Sequence, residues 1–318
     1  MVAREIERLV TQEFGKGAEM VDFRQIGEGE TANVYAFALD RHLTARLLTK
    51  SASDAGLASA AIQKLEEYNL APAIVHLFPA ATNALERDIL VLEEPVGETL
   101  SSENLDDHVF SDLVVELLKV HHNRRTELVD PSALGRKLNH ESGEVFAQLV
   151  KHLPSLAPGL RDLVSAMQAY LVANEAIFRV PQSLVHGDLY WSNVLVTPVG
   201  EAVLIDWLGL SYADYCVDLA TFWVGFLRCS PGGMCFGKGA PVEVYYRRLL
   251  EIYRQTFNDQ TIIERLHFYL PAVYIGDVYA LLRGAGGLTE DLHSKVTTYL
   301  EEACLAFGLN WSVISKAA

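Results

Sequence analysis

LVHGDLYWSNVLV, residues 184–196, followed after a short turn by AVLIDWLGLSYADYCVDLA, residues 202–220, is the part of the chain on which the fold reading turns. Asp188 and Asn193 stand five residues apart in one loop, and Asp206 closes the apolar run that follows. A carboxylate able to hold a hydroxyl, an amide oxygen and a second carboxylate are the base and metal groups of phosphoryl transfer, in catalytic-loop order. Aspartate and asparagine also favour turns and helix N-caps, but turn chemistry fixes no such spacing. For Asp214 and Asp218, outside that set, capping is the expected role.

HGDL followed by Asn193, then IDW and a later DLA, resembles the aminoglycoside phosphotransferase and choline kinase family of small-molecule kinases, relatives of the protein kinases. The resemblance implies an α+β, two-lobed protein-kinase-like fold. Residues 1–95 would form a small N-terminal antiparallel sheet lobe that binds the nucleotide. Residues 96–318 would form a larger, mainly helical C-terminal lobe for catalysis and acceptor binding. By the same resemblance Asp188 is the catalytic base, Asn193 and Asp206 are Mg ligands, His186 braces the loop and Asp218 anchors the start of the next helix. ATP or GTP would be the phosphoryl donor. The acceptor would be a hydroxyl of a small molecule: an aminoglycoside-like compound, choline or ethanolamine, or another metabolite.

The text before this segment changes period along its length. MVAREIERLVTQEF has mixed charge and helical spacing of Ile6, Leu9 and Val10, unlike a signal peptide. DFRQIG, NVYAFAL and LTARLL then alternate with period two between polar turns, which predicts an antiparallel meander. A helix over 55–68 and strands near 73–78 and 88–93 complete a five-stranded lobe. Amphipathic helices are predicted near 108–122, 142–152, 160–178, 218–228, 240–257, 261–283 and 289–306, interrupted only by the catalytic hairpin. No run approaches the roughly 18 apolar residues of a membrane span. Cys216, Cys229, Cys235 and Cys304 show no CxxC pair or zinc spacing, as expected of reduced thiols in a cytoplasmic protein.

On the nucleotide side, IGEGETANV places Gly27 and Gly29 between the first two strands, where backbone amides approach phosphates without a Cβ in the way. Gly27, Gly29 and Val34 match the kinase glycine loop, while Ala32 stands where protein kinases carry a third glycine. Arg46 on the next strand is the candidate phosphate cation, with Lys50 as a register alternative on the same face. The family's partner glutamate falls near Ala60, and the nearest acids, Glu66 and Glu67, come about two turns later. VLEEPVG resembles the family's hinge, so backbone groups at Glu93, Glu94 and Pro95 would meet the adenine edge. The absent third glycine and displaced glutamate also fit a rival reading, a non-catalytic nucleotide-binding relative. Against that rival, an inactive protein has no chemical reason to keep Asp188, Asn193 and Asp206 together.

On the acceptor side, Trp191 either stacks on substrate from the mouth of the loop or packs in the core. Asp277 sits inside the apolar run AVYIGDVYALL, where a buried carboxylate needs a partner: a substrate cation, Arg283 or a tyrosine hydroxyl. The chain carries 26 Lys and Arg against 41 Asp and Glu, a net charge of −15. Residues 259–306 hold seven acids against three basic residues, −4. Such a balance repels nucleic acid and anionic membranes, and either favours a neutral or cationic acceptor or serves only solubility.

Overall fold

The computed structural model describes residues 2–14, 21–28, 32–39, 42–48, 63–64, 67–68, 70, 74–93, 96–101, 103–228, 241–284 and 289–309. Gly29, Lys50, Ala60, Glu66, Glu94, Pro95, Cys229 and Cys235 lie outside them, as does most of the helix expected over 55–68. Two compact units form: Met1–Leu118 with Ser192–Leu210, and Lys119–Trp191 with Ser211–Ala318.

In the first unit, helix α1 (Val2–Phe14) buries Ile6, Leu9 and Val10 along one stripe. The stripe packs on a sheet of β1 (Val21–Glu28), β2 (Ala32–Ala38), β3 (His42–Leu48), β4 (Ile74–Phe78) and β5 (Ile89–Glu93). All pairings are antiparallel, in the order β1-β2-β3-β5-β4. Tyr35 and Phe37, Leu43, Ala45 and Leu47, and Ile89 and Val91 supply the core at every second position. Period two therefore sends Val34 and Arg46, paired across β2 and β3, to the other face.

Past β5 the chain passes Gly97 into β6 (Glu98–Thr99), which pairs with β9 (Val194–Val196), and β9 pairs with β10 (Ala202–Leu204). A Cβ on Gly97 would lie 2.7 Å from the Val196 carbonyl oxygen, so only glycine lets these backbones approach. Gly97→Ala is expected to destabilise the protein by roughly 1–3 kcal/mol, read as a lowered urea midpoint. Helix α2 (Asp107–His121) follows, and its Asp112 Oδ2 accepts from Ala202 N at 2.6 Å, tying the helix to β10.

The second unit holds a sheet of β7 (Arg124–Leu128), β8 (Pro181–Val185) and β11 (Ser211–Ala213), ordered β11-β8-β7. Its helices are α3 (Pro131–His152), α4 (Ala157–Ala173), α5 (Glu175–Phe178), α6 (Cys216–Arg228), α7 (Pro241–Phe257), α8 (Ile262–Gly284) and α9 (Glu290–Ala306). α8 packs on α3, α6 and α9. None of the described helices is long and apolar enough to cross a membrane.

Three expectations are corrected. Helix α3 begins at Pro131 rather than near 142, because Asp130 caps it by accepting from Ser132 N while Gly135, Asn139 and Gly143 dilute the apolar pattern. The helix expected over 160–178 breaks at Asn174 into α4 and α5. Among the described residues, four strands besides the β9–β10 hairpin interrupt the helical part. β6 and β11 are too short to show alternation, and every residue of β7 is exposed, so it has no apolar face to read.

Candidate active site

In the first unit, Gly27 pairs with Val34, Val34 with Arg46 and Arg46 with Leu90, one row across four strands. Arg46 is buried, and its Nη1 lies 2.5 Å from Asp206 Oδ1. Asp206 adopts φ 67°, ψ 59°, a left-handed conformation that aspartate and asparagine enter more readily than other side-chain-bearing residues. There the chain leaves β10 for a single turn at Trp207–Gly209. Ile205 N donates to Asn193 O at 2.9 Å, so the hairpin register places Asn193 beside the residue preceding Asp206. Arg46 thus finds its carboxylate on the hairpin, while Glu67 is exposed on the helix surface. Lys64 Nζ donates to Leu210 O at 2.5 Å, a second cation reaching the segment after Asp206. Glu93 ends β5 opposite Leu43.

In the second unit, β8 delivers the chain to a fully buried His186 and then to Gly187, whose φ of 82° turns Asp188 outward. His186 Nδ1 accepts from Asp188 N at 3.3 Å. Asp218, on the first turn of α6, is fully buried. Its carboxylate accepts from His186 N at 2.6 Å and from Gly187 N at 2.9 Å, and His121 Nε2 lies 2.9 Å away. Asp218 therefore holds the loop at 186–188, and the cap of α6 is Asp214, which accepts from Cys216 N at 3.0 Å. Burial opposes ionisation of Asp218, but the His121 hydrogen bond, the fields of His121 and His186 and the Gly187 amide hold it below its ordinary 3.8.

That depression has a sign. The stability it contributes is present above the unfolded value and lost as pH falls through the lower folded value. Asp218→Asn is therefore expected to cost more stability at pH 7 than at pH 3, and urea unfolding at both values measures the difference. His121 in turn sits 2.6 Å from the Tyr253 hydroxyl through Nδ1. Burial, with the fields of Asp218 and Cys216, keeps Tyr253 a phenol, and because a carboxylate only accepts, His121 Nε2 donates to Asp218.

Asp188 opens into a cavity of about 200 Å³ whose wall includes Glu141, Tyr190, Phe268, Tyr269 and Asp277. The Tyr190 hydroxyl donates to Asp277 Oδ1 at 2.5 Å, the tyrosine partner among those expected for Asp277. Arg283 instead contacts the Tyr279 hydroxyl at 3.3 Å. Burial raises the Glu141 carboxyl, Lys137 and His140 pull it back, and Asp277 adds to the rise. Trp191 is fully buried, stacks on Phe222 and donates from Nε1 to Phe222 O at 3.1 Å, so it packs in the core. Behind the wall, buried Arg265 on α8 pairs with Asp214 at 2.7 Å and Asp259 at 2.8 Å, locking α8 to the start of α6.

His121, Glu141, Tyr190 and Tyr253 carry no sequence motif of their own. His121 is one of two adjacent histidines at the end of a helix, and Glu141 is one of two acids on α3. Only the placement of Tyr190 two residues past Asp188 points to it in advance.

The model of the phosphotransferase enzyme family, APH, matches residues 22–255. No curated protein matches the sequence. Among solved structures, the GDP complex of aminoglycoside 2'-phosphotransferase-IIIa is 16% identical, covers 95% of this chain and 97% of that one, and has a TM-score of 0.66. Choline kinase LicA from Streptococcus pneumoniae is 15% identical, with 96% and 99% covered and a TM-score of 0.66. Plasmodium vivax ethanolamine kinase is 16% identical, with 89% and 81% covered and a TM-score of 0.60. These likenesses establish the expected α+β kinase-like fold.

Proposed function

The chain belongs to the phosphotransferase enzyme family, and we propose that it moves the γ-phosphoryl group of ATP or GTP to a hydroxyl of a compact small molecule, neutral or cationic. The observation that carries this reading is Asp188 facing a cavity that it shares with Glu141, Asp277 and three aromatic side chains. Asp188 takes the acceptor proton and aligns the oxygen, while the carboxylates and ring faces favour an ammonium-bearing acceptor. Solved relatives include proteins named for aminoglycosides, choline and ethanolamine. The cavity, near 200 Å³, is smaller than the roughly 300–1,000 Å³ of pockets that hold drug-sized ligands, which supports a compact group beside Asp188.

Nucleotide recognition falls to residues 1–95, with Gly27, Gly29 and Val34 under the phosphates, Arg46 as their cation and Glu93, Glu94 and Pro95 at the adenine edge. Residues 96–318 carry the metal and acceptor chemistry. Among the described residues no three His, Cys, Asp or Glu side chains gather into a ready-made metal cluster. Asn193 and Asp206 instead offer one amide oxygen and one carboxylate, a sparse hard-oxygen set of the kind that Mg completes with phosphates and water, so they fit the ion. When bound, Mg would neutralise charge on the transferring phosphates. Arg46, already against Asp206, adds a fixed positive charge beside that carboxylate. Cys216 and Cys304 are buried free thiols, which supports a reducing, cytoplasmic setting.

The test is a turnover screen with Mg and ATP or GTP against ethanolamine, choline, neutral sugars, kanamycin and sugar acids. The expected best acceptor is a compact cationic or neutral alcohol, with binding of a cation weakening as salt rises. An anionic sugar acid as best acceptor would overturn the charge argument. Absence of turnover on every acceptor, with nucleotide binding intact, would favour the non-catalytic rival.

A further inference from the structure

Tyr190 is held from three directions within the second unit. Its own N donates to Asp188 O at 2.9 Å, a tight local turn that leaves little freedom in where the Cα sits relative to the base. Its hydroxyl donates to Asp277 Oδ1 on α8. On its other side is Gly225 of α6, where an added Cβ would lie 2.7 Å from Tyr190 Cδ1 and 3.3 Å from Tyr190 Cα. The first distance is shorter than real Cβ contacts allow, so the missing side chain at 225 is what gives the ring its seat. Loop, α6 and α8 thus converge on one aromatic ring in the wall of the Asp188 cavity.

We propose that Tyr190 is the specificity-determining residue of the acceptor site: its fixed ring sets the size of the cavity beside Asp188 and restricts acceptors to compact ones. The inference rests on the reading of Asp188 as the base and deepens it. A ring anchored at the hydroxyl cannot swing aside for a larger ligand without giving up the Asp277 hydrogen bond and leaving the space that Gly225 provides. Removing the ring opens volume on the order of 100 Å³, comparable to engineered cavities that admit a benzene-sized guest. The hydroxyl has a separable duty. It orients Asp277, one of the two carboxylates that face the cavity with Asp188.

The experiment compares full-length wild type, Tyr190→Ala and Tyr190→Phe for phosphoryl transfer from labelled ATP to two probe sets, ethanolamine and choline against kanamycin and hygromycin B. Binding of the same probes in the presence of Mg and a non-hydrolysable ATP analogue is followed by calorimetry. Tyr190→Ala is expected to shift the large-to-compact ratio of kcat/KM, or of affinity, by about 10-fold or more toward the large probes. Tyr190→Phe keeps the ring and is expected to leave that ratio within about 2-fold, while weakening the compact cations through a less ordered Asp277. Should Tyr190→Ala not fold, Tyr190→Leu, shorter but still apolar against Gly225, carries the same expectation. A wild type that already prefers the multi-ring probes, or ring-removing variants that gain no large probe in either assay, overturns the proposal. Turnover retained by Asp188→Ala instead sinks the base assignment and leaves the size limit standing.

Discussion

Replacing Asp188 by alanine or asparagine is expected to lower turnover by about 100-fold or more while leaving nucleotide affinity nearly unchanged. The loss combines general-base catalysis with positioning of the acceptor oxygen, each of which is worth orders of magnitude. Nucleotide affinity is expected to survive because Asp188 lines a cavity of the second unit, whereas Arg46 and Asp206 lie on the other compact unit. The fold also survives, since the loop is held by the backbone amides of His186 and Gly187 on Asp218, not by the Asp188 carboxylate. Turnover and nucleotide affinity measured on one preparation, with a melting curve, check all three statements. Turnover near wild type in either variant would mean that Asp188 only shapes the turn.

Asp206→Asn is the second large effect. Asparagine tolerates the left-handed backbone at 206, so the substitution removes the charge without adding strain. It leaves Arg46 buried against a neutral amide, at a cost of about 3 kcal/mol, which corresponds to a melting point lower by roughly 6 °C for a chain of this size. If Asp206 holds the metal, Mg-dependent nucleotide binding and turnover fall with it, more severely than in Asn193→Ala, because a carboxylate neutralises metal charge and an amide does not. Titration of nucleotide affinity against Mg separates the two consequences. A variant that melts early but keeps its wild-type Mg dependence would show that Asp206 only pairs with Arg46.

A contrast between two pairs of acidic residues shows how unevenly the site could be read. Asp188 and Asp206 are conspicuous because each falls at a set distance from Asn193 along one short segment. Glu141 precedes Asp277 by more than a hundred residues, and the two meet only because α3 and α8 pack together in the second unit. The same limit explains Trp191 and Tyr190. Adjacent positions after Asp188 are equally plausible as substrate contacts in a linear text. Which one enters the core depends on the room left by Phe222 and Gly225, both of them on α6. Asp218 was legible as an important acid but not in its duty, since its hydrogen bonds run backward to β8 and sideways to α2.

Local chemistry, then, determined the elements whose pattern repeats along the chain: the amphipathic α1, the alternating strands of the first sheet, most of the long helices, and the order of Asp188, Asn193 and Asp206. Periodicity and loop spacing are properties of neighbouring residues, so no folded partner is needed to see them. Only the tertiary structure decided that Arg46 pairs with Asp206, that Tyr253 and His121 stand behind Asp218, and that Tyr190 reaches Asp277 over the space at Gly225. Each of these joins side chains from separate elements, and buried polar groups select partners by geometry that exists only once those elements have packed.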